Sequence, residues 1–348
     1  MKKIYFTPGP SQLYPTIPLY IRTALKLDIA SISHRGKEFE NIFSGTVLSL
    51  RELMNIPKTH QVFFLSSSLE AMERILQNTV KKNSFHFVNG EFSRKWHQFA
   101  LDLGKKPKKI EVASGNGFNF EEINIPKKTE LLCITQNETS TGVCLPMKEI
   151  YTLKEKFPYL PIALDIVSSA PYPEIDFSKI DMAFFSVQKG FGLHAGLAVL
   201  IINNNLMEKS SGTFHSFQSL QTMAKKNQTP ETPNVLYIYL LGKVCEDMLK
   251  KGIRTIRKET EEKAKLLYEF AENSTVFKPF VKEKKFRSPT TIVFELINNK
   301  SSEVVSKLEK KGLMIGKGYG EFKEKHIRIA NFPAHSASGI KILLKTFE

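Results

Sequence analysis

A single lysine, Lys189, follows a short apolar run and precedes a glycine-rich turn. Asp165 ends another apolar run 24 positions earlier, a separation that suits neighbouring strands of one sheet. Ligands of open α/β sheets bind at the carboxyl ends of the strands. Alone, such a lysine usually marks the edge of the core, and such an aspartate is often a helix N-cap. Together they suggest an amine that captures an aldehyde and an acid that keeps a ring nitrogen protonated.

Two further segments place small polar side chains at strand exits. Serines 66–68 separate a predicted strand from a helical pattern, so their hydroxyls and the free N–H groups of the helix would suit a phosphate. An ordinary serine N-cap is an equally good interpretation. The sequence NETSTG (137–142) follows another strand. It is either a simple turn or a means of presenting the hydroxyl of Thr139 to a cofactor oxygen.

Together, these segments describe a site for pyridoxal phosphate. Lys189 would bond to the cofactor aldehyde, Asp165 would pair with the pyridine nitrogen, and the helix start would receive the phosphate. Burial would lower the pKa of the lysine, so that it can act as nucleophile and base. The three cysteines lack metal-ligand spacing, and we expect no metal.

The elements that must position these residues are short apolar strands that alternate with amphipathic helices. Continuous apolar runs of this kind predict a mostly parallel sheet with helices on both faces. The candidate strands are 61–66, 84–88, 131–136, 161–166, 182–187 and 197–202.

The pattern changes near residue 234, where a long helical stretch begins that Gly252 would interrupt. Shorter runs after it predict a small α+β domain. We therefore expect a large domain over 1–240 and a small C-terminal domain over 241–348. The proline- and glycine-rich segment 6–18 predicts an ordered loop, and whether it crosses to the small domain is left open.

Composition narrows the class of protein. The net charge of +15 comes from lysines spread along the 348 residues without a nucleic-acid-binding motif, so we expect a solvated surface and no nucleic-acid partner. No apolar run is long enough to span a membrane, and no signal-peptide core follows the first lysines. Scattered cysteines suit a reducing compartment. We expect a cytoplasmic protein without a membrane partner.

The order of motifs along the chain resembles that of the class V aminotransferases of pyridoxal-phosphate fold type I, most closely the phosphoserine aminotransferases. The resemblance covers nearly the whole chain. It implies an α/β fold with a seven-stranded, mostly parallel sheet, and a homodimer whose active sites lie at the subunit interface. The motifs are TPGPSQL (7–13), SHRGKEFENIF (33–43), SSSLEAME (66–73), GEFSRKW (90–96), QNETSTGV (136–143), LDIVSSA (164–170), SVQKGFG (186–192), TPETP (229–233) and HIRIANFP (326–333).

For the cofactor, the resemblance implies a role for each matching residue. Lys189 would form the Schiff base, and Asp165 would pair with the pyridine nitrogen. Trp96, the only tryptophan, would stack on the ring, a place in the core being the alternative. The other contacts would be Thr139 to the ring hydroxyl, Ser67, Ser68 and Gln188 to the phosphate, and Gln228 and Thr229 to that phosphate from a second subunit.

For the substrates, the resemblance implies that the guanidinium of Arg328 holds the α-carboxylate; the alternative is a surface strand arginine. His34 and Arg35 would bind a second anion, the phosphate of phosphoserine or the distal carboxylate of glutamate. The reaction would be a ping-pong transfer between phosphoserine and 2-oxoglutarate in serine biosynthesis. Leu69 departs from the family, which often has threonine or arginine there, so backbone N–H groups must contribute more to phosphate binding.

Two other functions remain open from the sequence. A serine– or alanine–glyoxylate aminotransferase has substrates without a distal anion, so it would not need His34 and Arg35. A basic, non-catalytic binding protein could keep only the fold, and it would then not bind the cofactor covalently.

Overall fold

The computed structural model describes residues 3–208, 215–298 and 300–347. The strands are, in chain order, β1 Ile4–Phe6, β2 His60–Leu65, β3 Ser84–Val88, β4 Lys108–Glu111, β5 Leu131–Thr135, β6 Asn137–Glu138, β7 Val143–Cys144, β8 Ile162–Asp165, β9 Met182–Ser186, β10 Ala198–Asn203, β11 Phe277–Pro279, β12 Thr291–Leu296, β13 Leu313–Lys317 and β14 His326–Ala330. The α-helices are α1 Ile17–Lys26, α2 Lys37–Met54, α3 Ser68–Thr79, α4 Glu91–Asp102, α5 Met147–Lys156, α6 Asn204–Met207, α7 Phe217–Ala224, α8 Val235–Lys251, α9 Ile253–Asn273, α10 Ser301–Glu309 and α11 Ala337–Phe347.

Seven strands form the large sheet, in the order β2–β10–β9–β8–β5–β3–β4. Only β10 runs against the others, and it pairs antiparallel with both β2 and β9. The predicted seven-stranded, mostly parallel sheet is confirmed, and all six candidate strands are present. The strand that the sequence did not reveal is β4. Its two lysines at 108 and 109 resemble a solvated surface, and both are exposed because β4 lies at the edge of the sheet.

Helices cover both faces of the large sheet, which explains the continuous apolar runs. Along β9, Phe184 lies in the core shared with α3 and α4, whereas Phe185 lies in the core shared with α2, α5 and α8. This alternation follows from the pleat, which sends successive side chains to opposite faces. Among the described residues, no helix has both the length and the apolar character needed to cross a bilayer.

The second sheet is smaller and has the order β1–β13–β14–β12–β11. The N-terminal strand β1 pairs with β13, so residues Ile4–Phe6 belong to the second sheet. The long helical stretch divides at Gly252, whose φ of +85° lies in the region that favours glycine. Ile238 and Leu241 of α8 are buried in the core of the large sheet. Because α8 packs there beyond residue 240, we propose Gly252 as the domain limit.

Candidate active site

Lys189 lies in the loop that follows β9, at the carboxyl end of that strand. The Gly192 amide donates to the Lys189 carbonyl oxygen at 2.9 Å and closes the turn. Glycine is needed at position 190, because a Cβ atom there would lie 1.9 Å from the carbonyl oxygen of Ala170. The lysine is only 7% exposed. The loop therefore holds an ionisable amine inside the protein.

The Lys189 amine contacts Thr139, which the sequence places 50 residues earlier. Nζ donates to Oγ1 of Thr139 at 3.0 Å. Burial lowers the pKa of Lys189 to about 8; the charge of Asp165 opposes this shift, and the charge of Arg328 adds to it. A substantial fraction of this amine is neutral near pH 8. It can therefore attack an aldehyde and accept a proton.

Asp165 is the last residue of β8 and is 3% exposed. The Val167 amide donates to its Oδ1 at 2.9 Å, and none of the described residues donates to Oδ2. Burial raises the pKa of Asp165 to about 7, against the effects of the Val167 hydrogen bond and the Lys189 charge. A cation placed at the free oxygen would restore the ionised form, as expected for the partner of a protonated ring nitrogen.

The three serines stand at the amino end of α3. Ser67 is the N-cap residue, and its Oγ accepts a hydrogen bond from the Glu70 amide at 3.2 Å. The Glu70 carboxylate accepts from both the amide and the hydroxyl of Ser66. Burial raises the pKa of Glu70, but these bonds and the charge of Arg74 outweigh it and hold the pKa below its usual value. The first-turn amides of α3 have no acceptor within the helix. Ser67 can therefore serve as the N-cap while other N–H groups of this turn bind a phosphate.

Two buried polar atoms beside these residues lack a partner among the described residues. They are Oε1 of Gln188, next to the lysine, and Oγ1 of Thr135, whose Cα pairs with that of Asp165 across the sheet. Buried polar atoms are rarely left unpaired, so a ligand that completes them is the physical expectation. An amine, a carboxylate oxygen and a helix N-terminus match the aldehyde, ring nitrogen and phosphate of pyridoxal phosphate, and the donor set fits this cofactor.

The aromatic ring beside the lysine belongs to Phe92. Its centroid lies 5.4 Å from Nζ of Lys189. Trp96 is 1% exposed and packs edge-on against Phe184 and His86, in the core beneath α4. Phe92 is the second residue of α4 and lies beside Lys189, whereas Trp96, one helical turn later, is buried in the core. These contacts favour the alternative place in the core for Trp96, and we propose Phe92 as the residue that stacks on the cofactor.

A buried acid, Glu138, fixes the start of α4, and sequence reasoning missed it. Its carboxylate accepts hydrogen bonds from the amides of Phe92 (3.3 Å) and Ser93 (2.9 Å). Gly90 makes room for it, because a Cβ atom at position 90 would lie 2.4 Å from Cγ of Glu138. Glu138 precedes Thr139 in the chain, so one segment positions both the phenyl ring and the hydroxyl beside Lys189.

Arg328 comes from β14 of the small sheet and is half-buried. Its Nε donates to the Lys317 carbonyl oxygen at 2.8 Å, and its guanidinium lies 5.2 Å from the ring centroid of Tyr319. The Tyr319 ring in turn lies 5.5 Å from that of Phe92. Burial lowers the pKa of Arg328 to about 10, which leaves it charged at neutral pH. Its remaining N–H groups have no acceptor among the described residues, so it can bind a carboxylate with two parallel bonds.

The other predicted residues form a second group. Nη1 of Arg35 donates to Oε1 of Gln228 (3.1 Å) and to the carbonyl oxygen of Thr229 (2.7 Å), and Nη2 donates to the carbonyl oxygen of Pro230 (3.0 Å). Neighbouring His34 has its pKa lowered by burial and by the Arg35 charge. No hydrogen bond between described residues joins this group to Lys189 within one chain.

The sequence matches the Aminotransferase class-V family over residues 7–321. The chain belongs to this family. The phosphoserine aminotransferase of Chromobacterium violaceum is 30% identical over 339 residues, which cover 92% of this chain and 91% of that protein. A solved phosphoserine aminotransferase from Cytophaga hutchinsonii is 47% identical, with a TM-score of 0.97 over 99% of this chain and 98% of that one. An aspartate aminotransferase from Thermus thermophilus, 22% identical, has a TM-score of 0.89 over 99% and 97% of the two chains, a likeness of fold alone.

As a class-V aminotransferase, the chain is a transaminase that uses pyridoxal phosphate. The sequence-based predictions of family, fold type and cofactor are thus confirmed. The roles of the individual residues stay predictions. Phe92, Glu138 and Tyr319 were missed as site residues because only their contacts with remote segments distinguish them.

Proposed function

We propose that this transaminase moves the amino group between phosphoserine and 2-oxoglutarate, a step of serine biosynthesis. The observation that carries the proposal is the 47% identity to the Cytophaga hutchinsonii phosphoserine aminotransferase over 99% of the chain. The products would be 3-phosphohydroxypyruvate and glutamate, or the reverse reaction would form phosphoserine. We place the reaction in the cytoplasm, in agreement with three cysteines that are all free thiols.

When bound, pyridoxal phosphate supplies an electron-withdrawing ring that makes the α-hydrogen of an amino acid acidic. We assign the residues of this chain by the chemistry of their contacting atoms. Lys189 would bond to the aldehyde, and Asp165 would pair with the ring nitrogen. Thr139 would hydrogen-bond to the ring hydroxyl, and Phe92 would stack on the face of the ring. Ser67, Ser68 and Gln188 hold the phosphate together with the first turn of α3.

Lys189 also moves the proton in this proposal. When its amine is not bonded to the cofactor, Lys189 would take the proton from the substrate α-carbon and return it later as an acid. The pKa of about 8 suits both tasks near neutral pH. Thr139, at 3.0 Å from Nζ, keeps the amine oriented between these tasks.

The substrate would be held at both ends. Arg328 binds the α-carboxylate with its unused N–H groups. Arg35 uses three of its five N–H donors in hydrogen bonds to residues 228–230, so two remain for a phosphate oxygen. We propose a homodimer in which His34 and Arg35 of one subunit bind the distal anion in the other site. Gln228 and Thr229, which lie against Arg35, would complete the cofactor phosphate site of that same neighbour.

The alternative is a serine– or alanine–glyoxylate aminotransferase, and a half-reaction titration decides between them. Phosphoserine, glutamate, serine and alanine are added separately to the loaded enzyme while the absorbance of the aldehyde form is followed. We expect phosphoserine and glutamate to convert it to the amine form at concentrations at which serine and alanine do not. Conversion by serine or alanine, with none by phosphoserine, would contradict the proposal.

The covalent cofactor site is tested separately by borohydride reduction and peptide mapping. We expect the reduced cofactor on the peptide that contains Lys189, and no labelled peptide in Lys189→Ala. Lys263→Met is the matched control, because Lys263 is also a buried lysine, with a pKa lowered by burial to about 8, but lies on α9. A protein without any trapped cofactor would be a binding protein on the same fold, and the enzyme assignment would fail.

A further inference from the structure

The segment Thr7–Ser11, here named the N-terminal strap, passes directly over the Lys189 side chain. It leaves the small sheet at the end of β1. It then reaches the lysine loop, where the Ser11 amide donates to the Gln188 carbonyl oxygen at 3.2 Å. Just after the strap, the Tyr14 amide donates to the Gly192 carbonyl oxygen at 2.8 Å. Two hydrogen bonds thus attach this part of the chain on both sides of residue 189.

Within the strap, Gly9 lies directly against the side chain of Lys189. A Cβ atom at position 9 would lie 2.9 Å from Cε and 3.1 Å from Cγ of Lys189. Real Cβ atoms almost never come as close as 2.9 Å to another carbon, since carbon atoms attract optimally at about 3.5–4.0 Å. The bare α-carbon of Gly9 therefore forms one wall of the channel that contains the methylene groups of the lysine.

The strap also packs closely against β13, which restricts its movement. Gly316 of β13 faces Pro8, and a Cβ atom at position 316 would lie 2.8 Å from Cδ of Pro8. The pairing of Phe6 with Ile315 fixes the strap along the same strand. An added methyl group at position 9 would therefore displace the lysine stem rather than the strap.

We infer that Gly9 is a positioning residue for Lys189. Its missing side chain lets the lysine stem lie along the strap, with Nζ at Thr139 and within reach of the cofactor and the substrate α-carbon. This inference rests on the proposed role of Lys189. The rival explanation is that glycine is needed only for its backbone, since φ at this position is +141°.

A double-mutant cycle separates the two explanations. The dissociation constant of pyridoxal phosphate and the melting temperature are measured for the wild type, Gly9→Ala, Lys189→Ala and the double variant. We expect Gly9→Ala to weaken cofactor binding at least about fivefold, the lower end of what overpacking costs. In the Lys189→Ala background the same change should alter binding by less than about twofold, because the stem that collides with the methyl group is gone.

The melting temperature keeps the inference testable if Gly9→Ala folds poorly. Removal of the lysine stem should then rescue the double variant toward the melting temperature of Lys189→Ala. Gly104→Ala is the matched control, since Gly104 also has a positive φ (+70°) but no atom within 4 Å of an added Cβ. It reports the cost of a positive φ at a position where an added Cβ meets no neighbour, and it should leave cofactor binding unchanged.

Equal losses in both backgrounds would overturn the inference and leave only the backbone explanation. This failure differs from a failure of the proposed function. If borohydride traps no cofactor on Lys189 of the wild type, the proposed function fails. If it does trap cofactor there and the cycle is additive, only the role of Gly9 fails.

Discussion

Two hydrogen bonds join Arg35 and Gln228, which lie 193 residues apart in the sequence. Nη1 of Arg35 donates to Oε1 of Gln228 at 3.1 Å, and Nε2 of Gln228 donates to the backbone oxygen of Arg35 at 3.4 Å. The same Gln228 amide also donates to Oε1 of Glu40 at 3.2 Å, on the first turn of α2. The residues proposed for the distal substrate anion and for the cofactor phosphate therefore form one hydrogen-bonded unit.

This unit predicts a combined effect of changing Arg35. Arg35→Lys keeps the positive charge, but a single ammonium cannot make the three hydrogen bonds that the guanidinium makes to residues 228–230. We expect both the KM for phosphoserine and the dissociation constant of pyridoxal phosphate to rise, each by about tenfold or more, the value of a charge-assisted hydrogen bond. Steady-state kinetics and equilibrium dialysis of the cofactor measure the two effects.

The matched control is Lys26→Ala, which removes a charge from an exposed side chain at the end of α1 and should change neither quantity. A rise in KM with unchanged cofactor affinity would mean that Arg35 acts on the substrate alone. If neither the KM for phosphoserine nor the dissociation constant of pyridoxal phosphate changed, Arg35 would have no role in the site.

A second prediction concerns the two aromatic residues of α4. Phe92→Leu removes the ring beside Lys189, and we expect it to weaken cofactor binding about two- to tenfold, the usual value of an aromatic pair. Trp96→Phe leaves a space in the core, and we expect it to lower the free energy of unfolding by about 0.5–3 kcal/mol with little effect on cofactor affinity. Denaturant unfolding and cofactor titration of both variants test this contrast. The opposite pattern would restore Trp96 as the stacking residue.

Much of the fold could be predicted because its strands are buried on both faces. The runs around β5, β8 and β9 are continuously apolar, as a sheet covered by helices requires. The edge strand β4 could not be recognised, since its lysines face solvent and only hydrogen bonds to β3 make it a strand. The extent of α8 in the large core was equally invisible, because a helical pattern does not reveal which core its apolar side faces.

The candidate site was predictable where chemistry depends on residue type and position in the sheet. Asp165 ends β8, and Lys189 lies in the loop just after the adjacent strand β9, so their proximity follows from the topology. Glu138 and Gly9 act through contacts with segments far away in the sequence. A buried acid in a polar turn and a glycine in a proline-rich loop look ordinary until the backbone brings α4 and the lysine stem against them.

A third prediction concerns the α-carboxylate. Arg328→Lys keeps a cation at the site, but it removes the planar pair of N–H groups and the hydrogen bond to the Lys317 carbonyl oxygen. We expect kcat/KM for phosphoserine and for glutamate to fall together, by about 10- to 150-fold, because both substrates have an α-carboxylate. Arg254→Lys on the exposed surface of α9 is the control. A loss confined to phosphoserine would instead place Arg328 at the distal phosphate.

The last prediction uses the two charges of opposite sign that act on the Lys189 amine. In the cofactor-free protein, Asp165 raises and Arg328 lowers the pKa of Lys189, which burial brings to about 8. Asp165→Asn removes the negative charge that stabilises the ammonium, so the pKa should fall further. Arg328→Gln removes a repelling positive charge, so the pKa should rise. The pH dependence of acylation of Lys189, followed by peptide mass spectrometry, measures both midpoints.

Lys263 provides an internal control in the same samples. Burial also lowers its pKa to about 8, but the charges that act on it are those of Glu259 and Lys251. Its acylation midpoint should therefore stay constant in both variants. Midpoints of Lys189 that shift in the same direction in the two variants would show that a change in burial governs this amine. The pairing of Asp165 and Arg328 with Lys189 across the two sheets would then have no electrostatic role.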